Sequence, residues 1–314
     1  MKSIIITGAN SGIGFECALQ LASTVQDAQI ILACRNVQTG EEAVKKIKHK
    51  TGHQNLVCWP LDLASLKSVK KFTADFAKLP DPVVSALINN AGGIFMGETA
   101  YSTDGFEITF ATNHLGGFYL TLLLLHFVEP NGSITFTSSG VHDPNNNTGI
   151  APPIYTSGKE LAFPETTNKS GMAAAQQRYS TSKLCNVLTA YILHDKLAAK
   201  KIRVNAFDPG QVPGTGFLRT LPTPMRLIAS MLTQLSLLFG KKDTFSAATS
   251  GKRLAKLAYS KELQALNGIY FKRGHVANSS ADSYNSALQA ELWKSSIELT
   301  GLKQEETNIN LEEK

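Results

Sequence analysis

The sequence predicts an α/β fold in which helices cover both faces of a doubly wound parallel sheet. Short apolar runs such as 3–7 and 29–34 alternate along the chain with longer amphipathic segments, and this alternation is typical of repeated β-α units. The apolar runs are continuous rather than interrupted at every second residue. Because a strand with one wet face would alternate, both faces of the predicted sheet are expected to be covered.

The elements follow one another in regular order, typical of a Rossmann-type sheet of about seven strands. We expect strands at 3–7, 29–34, 55–59, 84–90, 133–138, 203–208 and 268–271. We expect helices near 12–24, 39–50, 65–78, 110–129, 175–200 and 243–258. We expect residues 1–314 to form a single domain.

Two segments interrupt this order. Residues 143–174 are rich in Pro, Asn, Gly and Thr, which predicts an insertion loop. Residues 211–242 contain an amphipathic stretch with Met225 and Met231. Since both follow strand ends, where ligands bind in such sheets, we interpret 211–242 as a substrate lid. Whether its helix is a lid, a membrane contact or plain core stays open.

Composition excludes several classes of protein. The net charge is only +6, and the basic run at 45–50 is short, so no nucleic-acid partner is expected. The four cysteines form no CxxC pair, which predicts buried, reduced thiols and no metal site. The expected first strand lies directly at the start of the sequence, so we expect no signal peptide, and the apolar stretches fall short of the ~20 residues of a membrane span. We therefore expect a cytoplasmic chain, with peripheral membrane contact left open.

The turn "TGANSGIG" at 7–14 joins the first strand to the first helix with very little side-chain bulk. Backbone amides and a positive helix end at such a turn suit a phosphate group. Gly8, Gly12 and Gly14 would let a pyrophosphate approach the backbone. Their spacing differs from G-x-G-x-x-G, and a tight packing turn explains it equally well.

Two later strand ends refine the cofactor prediction. Arg35 in "ILACRN" stands where an NAD-specific domain offers an acidic residue, and an arginine there suits a 2′-phosphate. Asp62 in "LDL" could accept a hydrogen bond from an adenine amino group, or it could cap the helix that starts at Ser65.

Three further motifs are "NNAG" at 89–92, "TSSG" at 137–140 and "YSTSK" at 179–183, and "DPG" follows at 208–210. With the glycine turn, they resemble the short-chain dehydrogenase/reductase family over nearly the whole chain. "ILACRN", "SKLCNVL" and the segment from "YFKRG" onward are most similar to the retinol dehydrogenase and protochlorophyllide reductase branches. Those branches generally prefer NADP(H), in agreement with Arg35.

Tyr179 and Lys183 stand four residues apart, so they share one face of a helix. A free tyrosine has a pKa of about 10, and a neighbouring ammonium together with an oxidised nicotinamide would lower it. Tyr179 could then exchange a proton with the oxygen of a carbonyl or an alcohol. The resemblance implies that Ser139, rather than Ser138, holds that oxygen and that Lys183 also binds the nicotinamide ribose. Asn113 would join a proton relay through a helix distortion.

The resemblance also implies the cofactor contacts. Besides Tyr179 and Lys183, they are Gly8, Asn10, Ser11, Gly12, Ile13, Gly14, Arg35, Asn36, Asp62, Leu63, Asn90, Ala91, Gly92, Pro209, Gly210, Val212 and Thr215. Thr215 departs from the pattern, because it comes one residue later after "PG" than is common.

The predicted function is NADP(H)-dependent interconversion of a carbonyl and an alcohol on an apolar, bulky substrate. Two alternatives stay open, a protochlorophyllide-reductase-like double-bond reductase and a non-catalytic NADP(H)-binding regulator. His142 follows Ser139 closely, but the absence of a G-x-S-x-G elbow argues against a serine hydrolase. Cys185 is interpreted as a small buried residue. We expect a monomer or a homodimer.

Overall fold

The computed structural model describes residues 2–164, 171–212 and 244–312. Its strands are β1 Lys2–Thr7, β2 Ala28–Cys34, β3 Leu56–Pro60, β4 Val83–Asn89, β5 Val128–Thr137, β6 Arg203–Asp208, β7 Tyr270–Lys272 and β8 His275–Ala277. They form one sheet in the order β3-β2-β1-β4-β5-β6-β7-β8. The first seven strands run parallel to their neighbours, which confirms the predicted fold class.

The eighth strand was missed by the sequence analysis. It pairs antiparallel with β7, with Lys272 opposite His275. Arg273 and Gly274 connect the two strands with φ angles of 58° and 98°, the left-handed conformation of a two-residue hairpin turn. The new strand is only three residues long, too short for a pattern of hydrophobicity to predict it.

Helices cover both faces of the sheet. They are α1 Gly12–Thr24, α2 Val37–Thr51, α3 Leu66–Ala77, α4 Ile108–Phe110, α5 Gly116–Leu124, α6 Gly158–Ala162, α7 Met172–Leu197, α8 Ala247–Tyr259 and α9 Ser286–Thr300. In β1, Ile5 lies in the apolar cluster that includes side chains of α3, α5 and α7. Ile4 and Ile6 lie in the opposite cluster, with side chains of α1, α2 and α8. The continuous apolar run of β1 is thus explained by burial on both sides.

The segments after β5 and β8 contain two helices that the sequence analysis did not predict. The short helix α6 lies within the predicted insertion loop at 143–174, and α7 begins at Met172 rather than near 175. Helix α9 packs against α7 and α6. The signals for α9 were present, because Asn285 caps its first turn and Leu288 and Leu292 are spaced four residues apart.

One helix, Ile108–Phe127, is long and apolar enough to cross a membrane by length and composition. Thr109, Thr112 and Asn113 interrupt the apolar run, so no membrane span is expected from the sequence alone. The most apolar window of this helix is 89% buried inside the fold. Its apolar surface is thus explained by packing in the core.

The four cysteines are free thiols. Cys17, Cys34 and Cys185 are buried as expected, whereas Cys58 on the edge strand β3 is only half-buried. Among the described residues, no group of acidic, histidine and cysteine side chains could hold a metal ion.

The order of the strands reverses between β1 and β4, whose carboxyl ends meet at one edge of the sheet. Ligands of open α/β sheets bind in the crevice at this reversal. Of the predicted lid, 211–242, only 211 and 212 are described, so Met225, Met231 and Thr215 lie outside the described residues.

Candidate active site

The glycine turn lies at the reversal point, between the end of β1 and the start of α1. Gly8 and Gly12 have φ angles of 66° and 59°, which favour glycine. A Cβ on Gly14 would come within 2.5 Å of Asn90 Nδ2 and 2.6 Å of Gly8 O. A Cβ on Gly8 would lie 2.9 Å from Ala91 Cα, so Gly8 and Gly14 are required for packing within the protein. The first turn of α1 carries no acidic side chain, so this positive helix end suits a phosphate group.

The segment after β4 is held against this turn. The Asn90 side chain donates to Thr7 O at 2.9 Å, and the amides of Asn90 and Ala91 donate to Thr7 Oγ1 at 3.0 and 2.9 Å. A Cβ on Gly92 would lie 2.9 Å from Asn113 Oδ1 and 3.3 Å from Lys183 Nζ. The "NNAG" motif thus connects the glycine turn to the catalytic candidates.

Arg35 and Asn36 follow β2 at the outer end of the crevice, and both side chains are exposed. Asn36 caps α2 by accepting a hydrogen bond from Thr39 N at 3.0 Å. Asn10 Nδ2 donates to Thr39 Oγ1 at 2.9 Å. A cavity of about 530 Å³ lies beside this contact. Its lining includes Asn10, Ser11, Thr39, Lys46 and Lys50, so two lysines of the predicted basic helix lie near the predicted phosphate contacts.

Asp62 follows β3 and accepts a hydrogen bond from Ala64 N at 3.0 Å. The cap of α3 is Ser65, which accepts from Ser68 N, so the alternative that Asp62 caps this helix is wrong. Leu63 is buried and its carbonyl faces Gly116, where a Cβ would come within 2.0 Å of it. This contact holds the turn after β3 against the start of α5.

The two serines after β5 have different environments. Ser138 is buried, and its hydroxyl donates to the carbonyl of Lys183 at 2.8 Å. Ser139 is half-buried and its side chain hydrogen-bonds to that of Tyr179. Ser138 therefore joins β5 to α7, and Ser139 is the serine that the structure brings to the tyrosine.

Tyr179 lies half-buried on α7. Burial raises the pKa of Tyr179 to about 12, the hydrogen bond with Ser139 lowers it, and the Asp208 carboxylate raises it. Desolvation is thus the largest effect on this pKa in the protein without its cofactor. Tyr179 is therefore a protonated phenol at neutral pH and can act as a proton donor. The decrease expected from Lys183 together with an oxidised nicotinamide stays a prediction.

Lys183 lies one turn further along α7 and is buried. Its Nζ donates to Thr137 O at 3.0 Å and lies 5.5 Å from the centroid of the Tyr179 ring. Burial lowers the pKa of Lys183 to about 8, and the Asp208 carboxylate opposes this change. Its ammonium is therefore easily deprotonated for a lysine.

Asn113 lies in a π-helical segment, Ala111–Leu115, between α4 and α5. The amide of Gly116 donates to Ala111 O, five residues back, which is the helix distortion that the resemblance implied. The Asn113 side chain bonds both the amide and the carbonyl of Gly93, and it also donates to Ser182 Oγ at 2.9 Å. It thus joins the "NNAG" segment to α7, and π-helical segments frequently occur at functional sites.

Pro209, Gly210 and Val212 follow β6 on the same side of the sheet. Pro209 O accepts a hydrogen bond from Ser250 Oγ at 2.8 Å. The Gly210 amide donates to Asp208 Oδ1 at 2.8 Å. These contacts fix the chain where it leaves β6 toward the predicted lid.

A buried polar cluster behind Ser139 was missed by the sequence analysis. Asp208 Oδ2 accepts from Tyr270 OH at 2.7 Å and lies 3.9 Å from Lys272 Nζ. The His142 ring packs on the Tyr270 ring, with their centroids 4.9 Å apart. Asp208 stands in the quoted "DPG", but its partners belong to strands whose adjacency only the fold reveals.

His142 cannot serve Ser139 as a catalytic base. Its Nε2 accepts from Ser280 N at 3.0 Å, so Nδ1 carries the proton and donates to the Ser139 carbonyl at 2.8 Å. Burial lowers the pKa of His142, which keeps it neutral. His142 therefore links the Ser139 carbonyl to the Ser280 amide, which agrees with the argument against a serine hydrolase. Cys185 is buried in an apolar cluster, and burial raises the pKa of its thiol.

Known proteins resemble the chain in both sequence and fold. The short chain dehydrogenase family matches residues 2–161. Polyprenol dehydrogenase of Danio rerio is 32% identical over 311 residues, covering 96% of this chain and 87% of that protein. Retinol dehydrogenase 11 of Mus musculus is 32% identical over 306 residues, covering 96% and 87%. The structure of L-sorbose reductase from Gluconobacter frateurii, complexed with NADPH, shares the fold with a TM-score of 0.65 at 18% identity, covering 88% and 97%.

The chain belongs to the short-chain dehydrogenase family, and it is an oxidoreductase with a nicotinamide cofactor. Within that family it lies in the retinol dehydrogenase-like branch.

Proposed function

We propose that the protein is an NADP(H)-dependent oxidoreductase that interconverts a carbonyl and an alcohol on an apolar, bulky substrate. The observation that carries the proposal is the convergence of Tyr179, Ser139 and Lys183 at the carboxyl edge of the sheet. Tyr179 hydrogen-bonds to Ser139, and Lys183 Nζ lies 5.5 Å from the Tyr179 ring.

A nicotinamide cofactor, when bound at the glycine turn, would supply or accept the hydride. In carbonyl reduction, Ser139 would donate a hydrogen bond to the substrate oxygen and Tyr179 would deliver the proton to it. Tyr179 carries the proton for this step at neutral pH, because its pKa is about 12. In the reverse direction, Lys183 would stabilise the phenolate that accepts the proton from the alcohol.

The exposed Arg35 supports the choice of NADP(H). Its guanidinium can bind a 2′-phosphate in two-point geometry. Lys46 and Lys50 line the neighbouring cavity with Asn10 and Ser11, and they add positive charge at this end of the crevice.

The names of two relatives support an apolar substrate. Retinol dehydrogenase 11 and polyprenol dehydrogenase both align with nearly the whole chain. Ile154, Phe163 and Met172 are exposed around the insertion between Ser139 and Tyr179, and such side chains suit the entrance of an apolar substrate.

The test is a turnover assay with NADPH or NADH and a panel of retinal, long-chain prenyl aldehydes and polar ketones. We expect oxidation of NADPH with the isoprenoid aldehydes and production of the corresponding alcohols. Turnover confined to polar ketones would contradict the substrate class. Pigment reduction at a carbon–carbon double bond, without any carbonyl product, would favour the double-bond reductase instead.

A further inference from the structure

The polar cluster behind Ser139 presents a negative charge to the catalytic lysine. Asp208 is 1% exposed, and it lies directly opposite Lys272 in the register of β6 and β7. A buried carboxylate acts on neighbouring charges far more strongly than one in water. The cluster therefore has a defined electrostatic effect on the site.

Two bonds hold the Asp208 carboxylate in place. Tyr270 OH donates to Oδ2 at 2.7 Å, and Gly210 N donates to Oδ1 at 2.8 Å. A Cβ on Gly140 would lie 3.3 Å from Asp208 Oδ2 and 3.7 Å from Lys272 Nζ. The carboxylate thus lies against the residue that follows Ser139.

Lys183 has few groups to stabilise its charge. Among the described residues, the one hydrogen-bond acceptor of its Nζ is the neutral carbonyl of Thr137. Thr137 lies opposite Phe207 in the register of β5 and β6, so Asp208 is the next residue along the strand beside this carbonyl. Phe207 packs into the cluster on the α1 face, and the Asp208 side chain therefore lies on the α7 face of the sheet. From there its carboxylate favours the charged form of Lys183. Lys272 counteracts Asp208 only in part, because its ammonium lies 3.9 Å away and is 19% exposed.

Two of the titratable groups around the cluster, His142 and Tyr270, are neutral. Burial keeps His142 deprotonated by lowering its pKa and keeps Tyr270 protonated by raising its pKa. Facing the cluster are His142 and Asp143 beyond β5, Tyr179 and Lys183 on α7, and Tyr270 and Lys272 on β7.

We propose that Asp208 is a positioning residue that keeps Lys183 in its charged form inside the site, and that Lys272 limits the negative charge that Asp208 presents. The inference rests on the proposed function for its consequence in turnover. Two variants distinguish an electrostatic effect on Lys183 from a general structural disturbance. They remove opposite charges from the Asp208–Lys272 pair, so an electrostatic effect should have opposite signs in the two. In Asp208→Asn, the amide oxygen can still accept from Gly210 N, and Tyr270 OH can accept from the amide NH₂. Lys272→Met removes the counter-charge and keeps a side chain of similar length.

The experiment follows the titration of Lys183 by NMR of protein labelled with ¹³C at lysine Cε, assigned by the loss of its signal in Lys183→Met. It needs neither cofactor nor substrate. We expect a midpoint near the pKa of about 8 in the unaltered protein, a decrease of about one unit in Asp208→Asn, and an increase of about half a unit in Lys272→Met. Asp75→Asn, which removes an exposed carboxylate from α3, is the control and should leave the midpoint unchanged.

The pH profile of carbonyl reduction in the same variants provides the second readout. Its alkaline limb should move to lower pH in Asp208→Asn and to higher pH in Lys272→Met. Equal midpoints in all variants, or shifts of the same sign in both, would overturn the proposal. Shifted midpoints without any turnover would instead contradict the proposed function and leave the role of Asp208 toward Lys183 intact.

Discussion

The glycine turn after β1 and the polar cluster after β5 and β6 lie at one edge of the same sheet, yet they are built by different means. The turn consists of backbone with small side chains, and Gly8 and Gly14 fit tightly against Ala91 and Asn90. The candidate catalytic side consists of buried and half-buried polar side chains after β5, on β6 and on α7, which are Ser138, Ser139, Tyr179, Lys183 and Asp208. Ser138, for instance, joins β5 to the carbonyl of Lys183 on α7.

The comparison predicts different responses to mutation. In the turn, an added methyl group should disturb packing, whereas a changed charge matters only where a phosphate lies. On the catalytic side, removal of a single hydroxyl or charge should change chemistry while the fold persists.

Tyr179→Phe should reduce kcat for carbonyl reduction by about 10² to 10⁴-fold, because it removes the proton donor and keeps the ring. NADPH affinity should remain close to that of the unaltered protein. Turnover is measured by NADPH absorbance and affinity by fluorescence titration. Tyr101→Phe changes an exposed tyrosine and should leave both unchanged. A fully active Tyr179→Phe would rule out this tyrosine as the acid.

Arg35→Asp should weaken NADPH binding by about 100-fold, since it replaces a charge-assisted hydrogen bond with repulsion. NADH binding should change much less, because NADH lacks the 2′-phosphate. Dissociation constants for both cofactors measure the effect. Lys45→Asp, at an exposed position on α2, makes the same charge change as a control. An equal loss for NADPH and NADH would remove the 2′-phosphate assignment.

Gly14→Ala should lower the free energy of unfolding by about 2 kcal/mol, because the Cβ overlaps Asn90 Nδ2 and Gly8 O. Chemical denaturation measures this value. The matched variant is Gly93→Ala, whose Cβ would have no neighbour within 4 Å, and it should be close to neutral. An unchanged free energy of unfolding in Gly14→Ala would contradict the packing role. The lack of side chains in the turn would then serve the cofactor alone.

The buried His114 should make the free energy of unfolding decrease in mild acid. Burial lowers the pKa of His114 to about 3, so below pH 6.5 the unfolded chain binds a proton that the folded protein does not. Between pH 6.5 and 5.5 this should cost about 1 kcal/mol of stability. His114→Phe, packed between Phe110 and Phe118, should reduce that slope, and the exposed His126→Phe should not. Parallel stability curves for all three proteins would contradict this assignment.

Much of the fold was predictable from the sequence because the signals are local. Continuous apolar runs identified seven strands, and the i, i+4 spacing placed Tyr179 and Lys183 on one helix face. Strand β8 and helix α6 are too short for such a pattern. The long helix α9 was overlooked although Asn285 signals its start.

The site was predictable only where its chemistry lies in one motif. Asp208 stands before "PG", but its partners Tyr270 and Lys272 come more than 60 residues later and meet it through the pairing of β6 with β7. The raised pKa of Tyr179 likewise follows from burial, which a motif does not encode. Cross-strand neighbours and desolvation are properties of the folded chain.

The central claim is that the bare turn and Arg35 hold NADP(H) beside Tyr179. Its most direct test is a titration of the purified protein with NADPH and with NADH, followed by nicotinamide fluorescence. The account predicts saturable binding of NADPH with clearly weaker binding of NADH. Binding of neither cofactor would contradict the account.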